Sequence, residues 1–315
     1  MQSDSACLRR VPIRKPLTFS PIALTDKPWM EHLIRMENSR SSDWCFSSLF
    51  AWDAAFHQQV AAIGNRLVIQ LLYHGSPFYA FPIGQGDLEP VIWSLQQDAT
   101  DHDVPLKISG ITAKNMQELE EAFPGQFEYS PDAYAFDYVY EAESLALLEG
   151  RKFSPKRTHI NRFLEQNPDW RFEPLTRANL SECSAMCLKW VAEHQTLGGN
   201  FADEVDALHK AFSHFDALDL EGALLRAKGE VVAFTIGKPL NSDTYIIHFE
   251  KAFPSVQGAY PMINREFARH ICQAYPHLRY INRESDLGIP GLQKAKQSYH
   301  PVFLVEKYTA RWKDS

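Results

Sequence analysis

The polar residues near the C-terminus are dense enough to bind an anion or transfer a proton. The segment "YINRESDLGIPGLQKAKQSYHP", residues 280–301, lies between two apolar runs that are typical of strands. Alternation along the first strand places Asn282 and Glu284 on one face and Arg283 on the other. If this strand lies parallel to its neighbour, its polar end lies at the sheet edge where open α/β sheets bind ligands.

The helix predicted at the end of this segment carries three further candidates. Lys294 and Lys296 lie about 200° apart around a helix, so only one of the two can face a pocket squarely. Tyr299 ends the helix and can donate a hydrogen bond or a proton. The whole segment is therefore either one wall of a cleft or an ordinary solvated connection.

A second polar segment precedes it, "TYIIHFEKAFPSVQGAYPMINREFARHI", residues 244–271. His248 and Glu250 are two positions apart on a predicted strand, so we expect both to project to one face. A carboxylate beside an imidazole can carry out proton transfer. The simpler alternative is an ion pair between Glu250 and a lysine or arginine.

A loop and a helix follow that strand. The loop contains Gln257, Gly258, Ala259 and Tyr260. A helix N-terminus offers free N–H groups and a partial positive charge, and glycine lets a backbone approach closely. These residues therefore predict a phosphate or carboxylate site. The alternative is a plain strand-to-helix turn, in which glycine is also common.

The segment "RKFSPKRTHINRF", which begins at Arg151, is abruptly basic. On the predicted helix, Lys156, His159 and Arg162 lie near one face and Arg157 lies on the adjoining one. Such a cluster can bind phosphate groups. A solvated basic helix is the open alternative.

These segments must be positioned by a fold that mixes strands and helices. Both parts of the chain show the order helix, strand pair, helix, strand, helix, strand, which suggests a duplicated α/β unit. The composition changes near residue 150. We therefore predict a flexible arm over residues 1–19, one unit over 20–150 and a second unit over 151–315 that carries the site. "PVFLVEKYTARW" is expected to form one last strand.

Composition limits the class of protein. The chain has 315 residues, of which 45% are hydrophobic, with no apolar run long enough to cross a bilayer and no signal-peptide pattern. Five scattered cysteines indicate reduced thiols rather than a disulfide framework. Because the cysteines and histidines lack ligand spacing, no metal site is predicted. We expect a cytoplasmic protein without an integral membrane segment.

Charge differs between the two parts of the chain. Residues 1–150 hold 10 Lys/Arg and 20 Asp/Glu, a net charge of −10, whereas residues 151–315 hold 22 and 19, a net charge of +3. An anionic ligand is therefore expected to bind the second part. The balance does not indicate a general nucleic-acid coat.

Three motifs in order resemble a known family. "KRTHINRF", "IIHFEKA…QGAYPMINREFA" and "YINRESDLGIPGLQKAKQSYHPVFLVEKY" together resemble the phosphatidylglycerol lysyltransferase C-terminal-domain family. That family is similar to the lysylphosphatidylglycerol synthase catalytic domain and, more distantly, to Fem-type aminoacyltransferases. The resemblance covers about residues 20–312. It implies an α/β fold with mixed sheets, built as a tandem duplicated acyl-CoA N-acyltransferase (GNAT)-like fold.

The resemblance implies an acyl or aminoacyl transferase that acts on an amine or hydroxyl of a small-molecule or aminoacyl acceptor. Glu250 would take the proton, with His248 beside it. Tyr299 or Lys296 would assist the leaving group, and Lys296 is the position that matches a lysine of the relatives. No separate cofactor is required, because acyl-CoA or charged tRNA would serve as the co-substrate.

Two departures from the family sharpen this expectation. "SVQGAY" keeps Gln257, Gly258 and Ala259 of a pyrophosphate-binding loop without its full pattern, which favours aminoacyl-tRNA over coenzyme A as donor. The chain also has no multi-helix membrane domain ahead of the tandem fold. The alternative is a non-catalytic protein that binds a small anionic ligand or peptide, with Arg283 and Arg157 as clamps beside Lys296.

Overall fold

A computed structural model describes residues 17–195 and 201–313. Its helices are α1 (Lys27–Glu37), α2 (Phe46–Ala51), α3 (Asp53–Phe56), α4 (Glu89–Asp101), α5 (Ala113–Ala122), α6 (Ala142–Leu147), α7 (Ser154–Gln166), α8 (Leu180–Gln195), α9 (Ala202–Ser213), α10 (Ala259–Ala274) and α11 (Pro290–Gln297). Short 3-10 turns lie at Leu24–Asp26, Ala133–Ala135 and Arg151–Phe153. No helix in these ranges combines the length and apolar character that a membrane crossing requires.

The strands form two mixed sheets. They are β1 (Ser20–Pro21), β2 (Gln59–Ile63), β3 (Asn65–Tyr73), β4 (Ser76–Ala80), β5 (Ile83–Gln85), β6 (Lys107–Ile111), β7 (Phe127–Pro131), β8 (Asp137–Glu141), β9 (Arg171–Pro174), β10 (Glu221–Ala227), β11 (Glu230–Pro239), β12 (Thr244–Ala252), β13 (Tyr280–Asn282), β14 (Phe303–Val305) and β15 (Tyr308–Trp312). The first sheet has the order β1-β2-β3-β4-β6-β15-β7, with β5 beside β3, and the second has the order β9-β10-β11-β12-β13-β8-β14.

The two sheets repeat one pattern of pairing. In the first sheet every neighbouring pair on the main path is antiparallel except β4 and β6. In the second sheet every pair is antiparallel except β12 and β13, which hold the matching positions. This identity of order and direction supports the duplicated α/β unit that the alternation of elements predicted.

Each unit gives one strand to the other sheet. β8 precedes residue 150 but lies between β13 and β14, and β15 ends the chain but lies between β6 and β7. The predicted boundary at residue 150 therefore does not separate the two sheets. The expectation of one strand over "PVFLVEKYTARW" is also wrong, because β14 and β15 belong to different sheets.

A buried lysine lies where the chain passes between the sheets. Lys307, between β14 and β15, is 2% exposed, and its ammonium contacts Asp137 at 3.0 Å and Asp43 at 2.8 Å. Asp137 begins β8, the other exchanged strand, and is fully buried. A buried charge is tolerated when it is paired and hydrogen-bonded, and this cluster connects the start of β8 to the segment between β14 and β15.

The predicted flexible arm over residues 1–19 lies mostly outside the described residues. Of this arm, the structure describes residues 17–19. Leu17 and Phe19 pack against the hydrophobic core, and the Phe19 ring lies 6.3 Å from that of Tyr79. Leu17 and Phe19 therefore belong to the packed fold rather than to a flexible arm.

The strands β12 and β13 diverge and open a wedge in the second sheet. They pair in parallel over only three residue pairs, from Thr244–Tyr280 to Ile246–Asn282. Beyond Ile246, β12 continues to Ala252 along β11, while the chain after Asn282 leaves the sheet. The polar residues of both segments that the sequence singles out flank this wedge.

Candidate functional site

A buried ion pair spans the wedge between β12 and β13. Arg283 Nη2 lies 2.8 Å from Glu250 Oε1, and the two side chains are only 12% and 9% exposed. Asn264 on α10 donates to the second carboxylate oxygen of Glu250 at 3.3 Å. Arg283 Nη1 is buried and has no hydrogen-bond partner among the described residues. The simpler sequence interpretation of Glu250, an ion pair with an arginine, is thus confirmed, and the pair leaves one guanidinium nitrogen free for a ligand.

Aromatic rings hold the cations of this site. The Arg283 guanidinium lies 4.9 Å from the ring centre of Tyr299 and 5.7 Å from that of Tyr140. Lys156 Nζ lies 3.8 Å from the ring centre of Tyr299 and donates to Ser298 Oγ at 2.6 Å. Cations over aromatic faces are stabilised by the ring quadrupole. The site therefore combines two cations and one carboxylate with the aromatic rings of Tyr299 and Tyr140.

The pKa of Lys156 is low for a lysine. Burial lowers its pKa, the neighbouring charge of Arg283 lowers it further, and the charge of Glu250 opposes both, so that the pKa is about 8. A lysine tuned to this range exists partly as the neutral amine near physiological pH. It can then accept a proton from a nucleophile.

Lys296 contacts the protein backbone, whereas the sequence predicts that it contacts a ligand. Its ammonium donates to the backbone carbonyls of Arg283 at 2.5 Å, Glu284 at 3.1 Å and Ser285 at 2.6 Å, and the residue is 7% exposed. An ammonium has three donors, so none is left for a substrate. Lys296 therefore positions the turn that carries Arg283, while Lys294 is exposed, as predicted.

Asn282 is likewise part of the scaffold. It is fully buried, and its amide donates to the carbonyl of Arg40 at 2.7 Å and to Asp137 at 3.1 Å. Its Oδ1 accepts from the backbone N–H of Glu284 at 2.6 Å. These hydrogen bonds connect the turn to the first unit. They do not provide the ligand contact that the sequence predicts for Asn282.

His248 and Glu284 form a second pair across the wedge. His248 Nδ1 lies 3.0 Å from Glu284 Oε1, while its Nε2 lies 2.8 Å from Ser47 Oγ on α2. Burial alone would lower the pKa of His248, but hydrogen bonds to Cys45 and Glu284 outweigh it and raise the pKa to about 9. The catalytic role predicted for His248 remains a prediction.

The expectation that His248 and Glu250 project to one strand face remains a prediction, because the strand is irregular at His248. The register between β11 and β12 shifts, so that Ile236 pairs with Phe249 and Gly237 with Ile247, which leaves His248 as the extra residue. Such a bulge interrupts strand alternation. Among the described residues, the two side chains have no hydrogen-bond partner in common.

The loop before α10 is covered by α7. Gly258, at φ +83°, caps α10, and a Cβ at this position would lie 2.1 Å from the carbonyl oxygen of His159. Ala259 is buried, and its N–H already donates to the carbonyl of Val256. Pro261 has no N–H. The close approach that glycine permits therefore serves helix packing, and few N–H groups remain for an anion.

The other predicted anion contacts do not converge here. Gln257 accepts from Gln166 at 3.4 Å, and Tyr260 is half-buried with its pKa raised by burial to about 12. Arg157 donates to the carbonyls of Leu148 and Gly150 at the end of α6. The His159 side chain is exposed. Of the basic segment, only Lys156 reaches the wedge.

Sequence reasoning missed four residues at or beside the wedge. Tyr140 comes from β8, the exchanged strand, so no local pattern connects it to the site. Asn264 is a polar residue, 4% exposed, among apolar neighbours on α10, and that contrast is a usable signal. Cys45, just before α2, and Ser47, on α2, come from the first unit, where this segment has the sequence pattern of ordinary core.

Comparison with known proteins places the chain in a family. The family model described as phosphatidylglycerol lysyltransferase, C-terminal, matches residues 35–311. The chain belongs to this family. Its predicted family and its tandem GNAT-like α/β fold are both confirmed. Family and fold together indicate an aminoacyltransferase-like GNAT domain.

Several solved structures share the fold of this chain. A conserved protein of unknown function from Bacteroides thetaiotaomicron is 38% identical, covers 94% of this chain and 100% of its own, and has a TM-score of 0.88. L-PGS from Bacillus licheniformis shares the fold at 16% identity and a TM-score of 0.66, with 96% and 95% coverage. FemX shares it at 9% identity and a TM-score of 0.60, with 94% and 97% coverage.

A curated relative, the uncharacterized protein MYCGA3080 of Mycoplasmoides gallisepticum, is 20% identical over 186 residues. The match spans 56% of this chain and 56% of that relative. The chain therefore aligns with only about half the length of the curated protein.

Proposed function

We propose that this protein transfers an aminoacyl group from charged tRNA to an amine or hydroxyl acceptor in the wedge between β12 and β13. The observation that carries the proposal is the buried Glu250–Arg283 pair beside the Tyr299 ring, which Lys156 also contacts. A carboxylate and a partly neutral amine are thereby brought to the same ring, and the reaction needs a group that accepts a proton and a group that binds charge.

The contacts of each side chain suggest its role in the proposed reaction. Lys156, with its lowered pKa, accepts the proton of the attacking amine or hydroxyl. Glu250, held by Arg283 and Asn264, attracts the α-ammonium that an aminoacyl ester carries. The free Nη1 of Arg283 donates to the carbonyl oxygen as negative charge develops there, a contribution of roughly 3 kcal/mol per donor. Tyr299 keeps both cations in place.

The covered N-terminus of α10 supports an aminoacyl-tRNA donor over acyl-CoA. Coenzyme A would need backbone N–H groups there for its pyrophosphate, and the backbone of α7 occupies the approach to Gly258. An aminoacyl ester presents a compact cationic group, which the carboxylate of Glu250 complements. The acceptor is a small molecule or an aminoacyl compound with a nucleophilic amine or hydroxyl.

A transfer assay tests this function. Purified protein is mixed with tRNA charged with radiolabelled lysine or alanine and with hydroxylamine as a surrogate acceptor, and loss of label from tRNA is followed. The wild type should accelerate the loss, and Lys156→Met should reduce the rate at least about 100-fold, as expected for a general base. Lys152→Met is the matched control, because Lys152 is exposed just before the same helix.

Donor choice is tested in parallel with acyl-CoA. Stabilisation by coenzyme A in a thermal-shift experiment, together with transfer from acyl-CoA but not from tRNA, would overturn the donor assignment. If Lys156→Met binds a non-hydrolysable aminoacyl analogue as tightly as wild type and neither protein accelerates transfer, the chain is a binding protein and the catalytic proposal fails.

A further inference from the structure

A cysteine, a serine, a histidine and a glutamate form one hydrogen-bonded chain beside the wedge. Cys45 Sγ lies 3.1 Å from Ser47 Oγ, which lies 2.8 Å from His248 Nε2. His248 Nδ1 lies 3.0 Å from Glu284 Oε1. The proposed transfer reaction uses none of these four side chains. We propose that Cys45 is a reactive thiolate and the site at which small hydroperoxides modify this protein.

The order of donors and acceptors permits the thiol to ionise. Ser47 can donate its hydroxyl proton to the sulfur while its oxygen accepts from His248 Nε2–H. The thiol proton is thereby transferred to His248 through Ser47, and Glu284 accepts from the second N–H of the resulting imidazolium. A nucleophile, a base and a group that orients the base, all within hydrogen-bond reach, are the geometric signature of an activated nucleophile.

The charges around the sulfur favour the thiolate. The charged or titratable groups that act on it are His248 on β12 and Lys238 on β11, while Glu284 acts through His248. Burial alone raises the pKa of the Cys45 thiol, but the hydrogen bond and charge of His248 outweigh it and the pKa falls to about 7. The thiolate is the reactive form of cysteine.

Burial selects the reagent. Cys45 is 5% exposed and Ser47 2% exposed, so a substrate of ordinary size cannot reach the sulfur. A hydroperoxide is small enough to approach. The thiolate attacks one peroxide oxygen, so that an S–O bond forms and the O–O bond breaks. The leaving oxygen takes the proton held by His248. The sulfur is oxidised to a sulfenic acid, and the peroxide is reduced to water or an alcohol.

The chain contains its own control thiol. Cys272 on α10 is more exposed than Cys45, but burial raises its pKa and it has no histidine partner among the described residues. If accessibility governs oxidation, Cys272 reacts first. If ionisation governs it, Cys45 reacts first. The two explanations therefore predict opposite orders within one molecule.

The test exposes the intact, reduced protein to hydrogen peroxide, traps sulfenic acid with dimedone after quenching and denaturation, and assigns each cysteine by peptide mass. Cys45 should gain oxygen before Cys272, with a rate that is half-maximal near pH 7. His248→Gln should slow Cys45 oxidation at neutral pH by roughly tenfold and move the half-maximum toward pH 9. The readout is thiol chemistry, so it is independent of any transfer activity.

Glu284→Gln provides a second variant that keeps the packing, because Glu284 is 26% exposed. It should shift the half-maximum of Cys45 oxidation to higher pH by a smaller amount than His248→Gln. Oxidation of Cys272 before Cys45 in the native protein would overturn the proposal. A Cys45 profile centred near pH 9, unmoved by either substitution, would do so as well.

Discussion

Replacing Lys296 by methionine separates a structural role from a ligand contact. The Lys296 ammonium makes three hydrogen bonds to the carbonyls of residues 283–285. At about 1 kcal/mol of net stability for each, Lys296→Met should lower the free energy of unfolding by about 3 kcal/mol. For a chain of this size that corresponds to a fall in Tm of about 6 °C.

Thermal unfolding followed by circular dichroism measures this difference. Lys294→Met is the matched control, because Lys294 is exposed on the same helix, and its Tm should change by no more than about 1 °C. If the two variants are equally stable while only Lys296→Met loses donor affinity, the contact of Lys296 with the turn is not its role. The lysine would then contact the ligand, and the geometric reasoning would be refuted.

Three further predictions concern Gly258, the buried Lys307 and the pH dependence of transfer. Gly258→Ala should cost more than about 2 kcal/mol in chemical denaturation, because a Cβ meets the His159 carbonyl oxygen at positive φ, whereas Gly291→Ala, in open space, should be neutral. Lys307→Met should cost about 3–5 kcal/mol, because it removes the counter-charge of the buried Asp137 carboxylate, and an unchanged denaturation midpoint would contradict this. The transfer rate should rise with pH up to about 8 as Lys156 loses its proton, and this limb should vanish in Lys156→Met. If the transfer rate of Lys156→Met still rises with pH, another group accepts the proton.

The sequence predicts the elements well where periodicity is local. The α10 helix follows from helical spacing. The parallel pairing of β12 and β13 is only a condition of the site hypothesis, and the choice of Lys294 as the exposed lysine rests on the family resemblance. The exchanged strands do not follow from local periodicity, because β15 looks locally like the end of β14 and its pairing partners, β6 and β7, lie about 200 residues earlier. Tyr140 enters the site through such an exchange.

The site is predictable in part for the same reason. Proximity along the chain groups His248 with Glu250 and Arg283 with Glu284, and all four flank the wedge. Proximity does not reveal which groups interact, because Arg283 pairs with Glu250 and Glu284 with His248, each across the wedge. Lys296 is a similar case. Its match to a family position predicts a ligand contact, but in the structure its three N–H groups donate to backbone carbonyls.

The transfer rate of Glu250→Gln tests the central claim most directly. Single-turnover loss of the aminoacyl group from charged tRNA is compared among wild type, Glu250→Gln and Glu165→Gln, the last an exposed glutamate on α7. If the wedge binds the aminoacyl donor, Glu250→Gln should be slower by about 100-fold or more at a temperature well below the Tm of every variant, and Glu165→Gln should equal wild type. A wild-type rate in Glu250→Gln would contradict the assignment of the active site to this wedge.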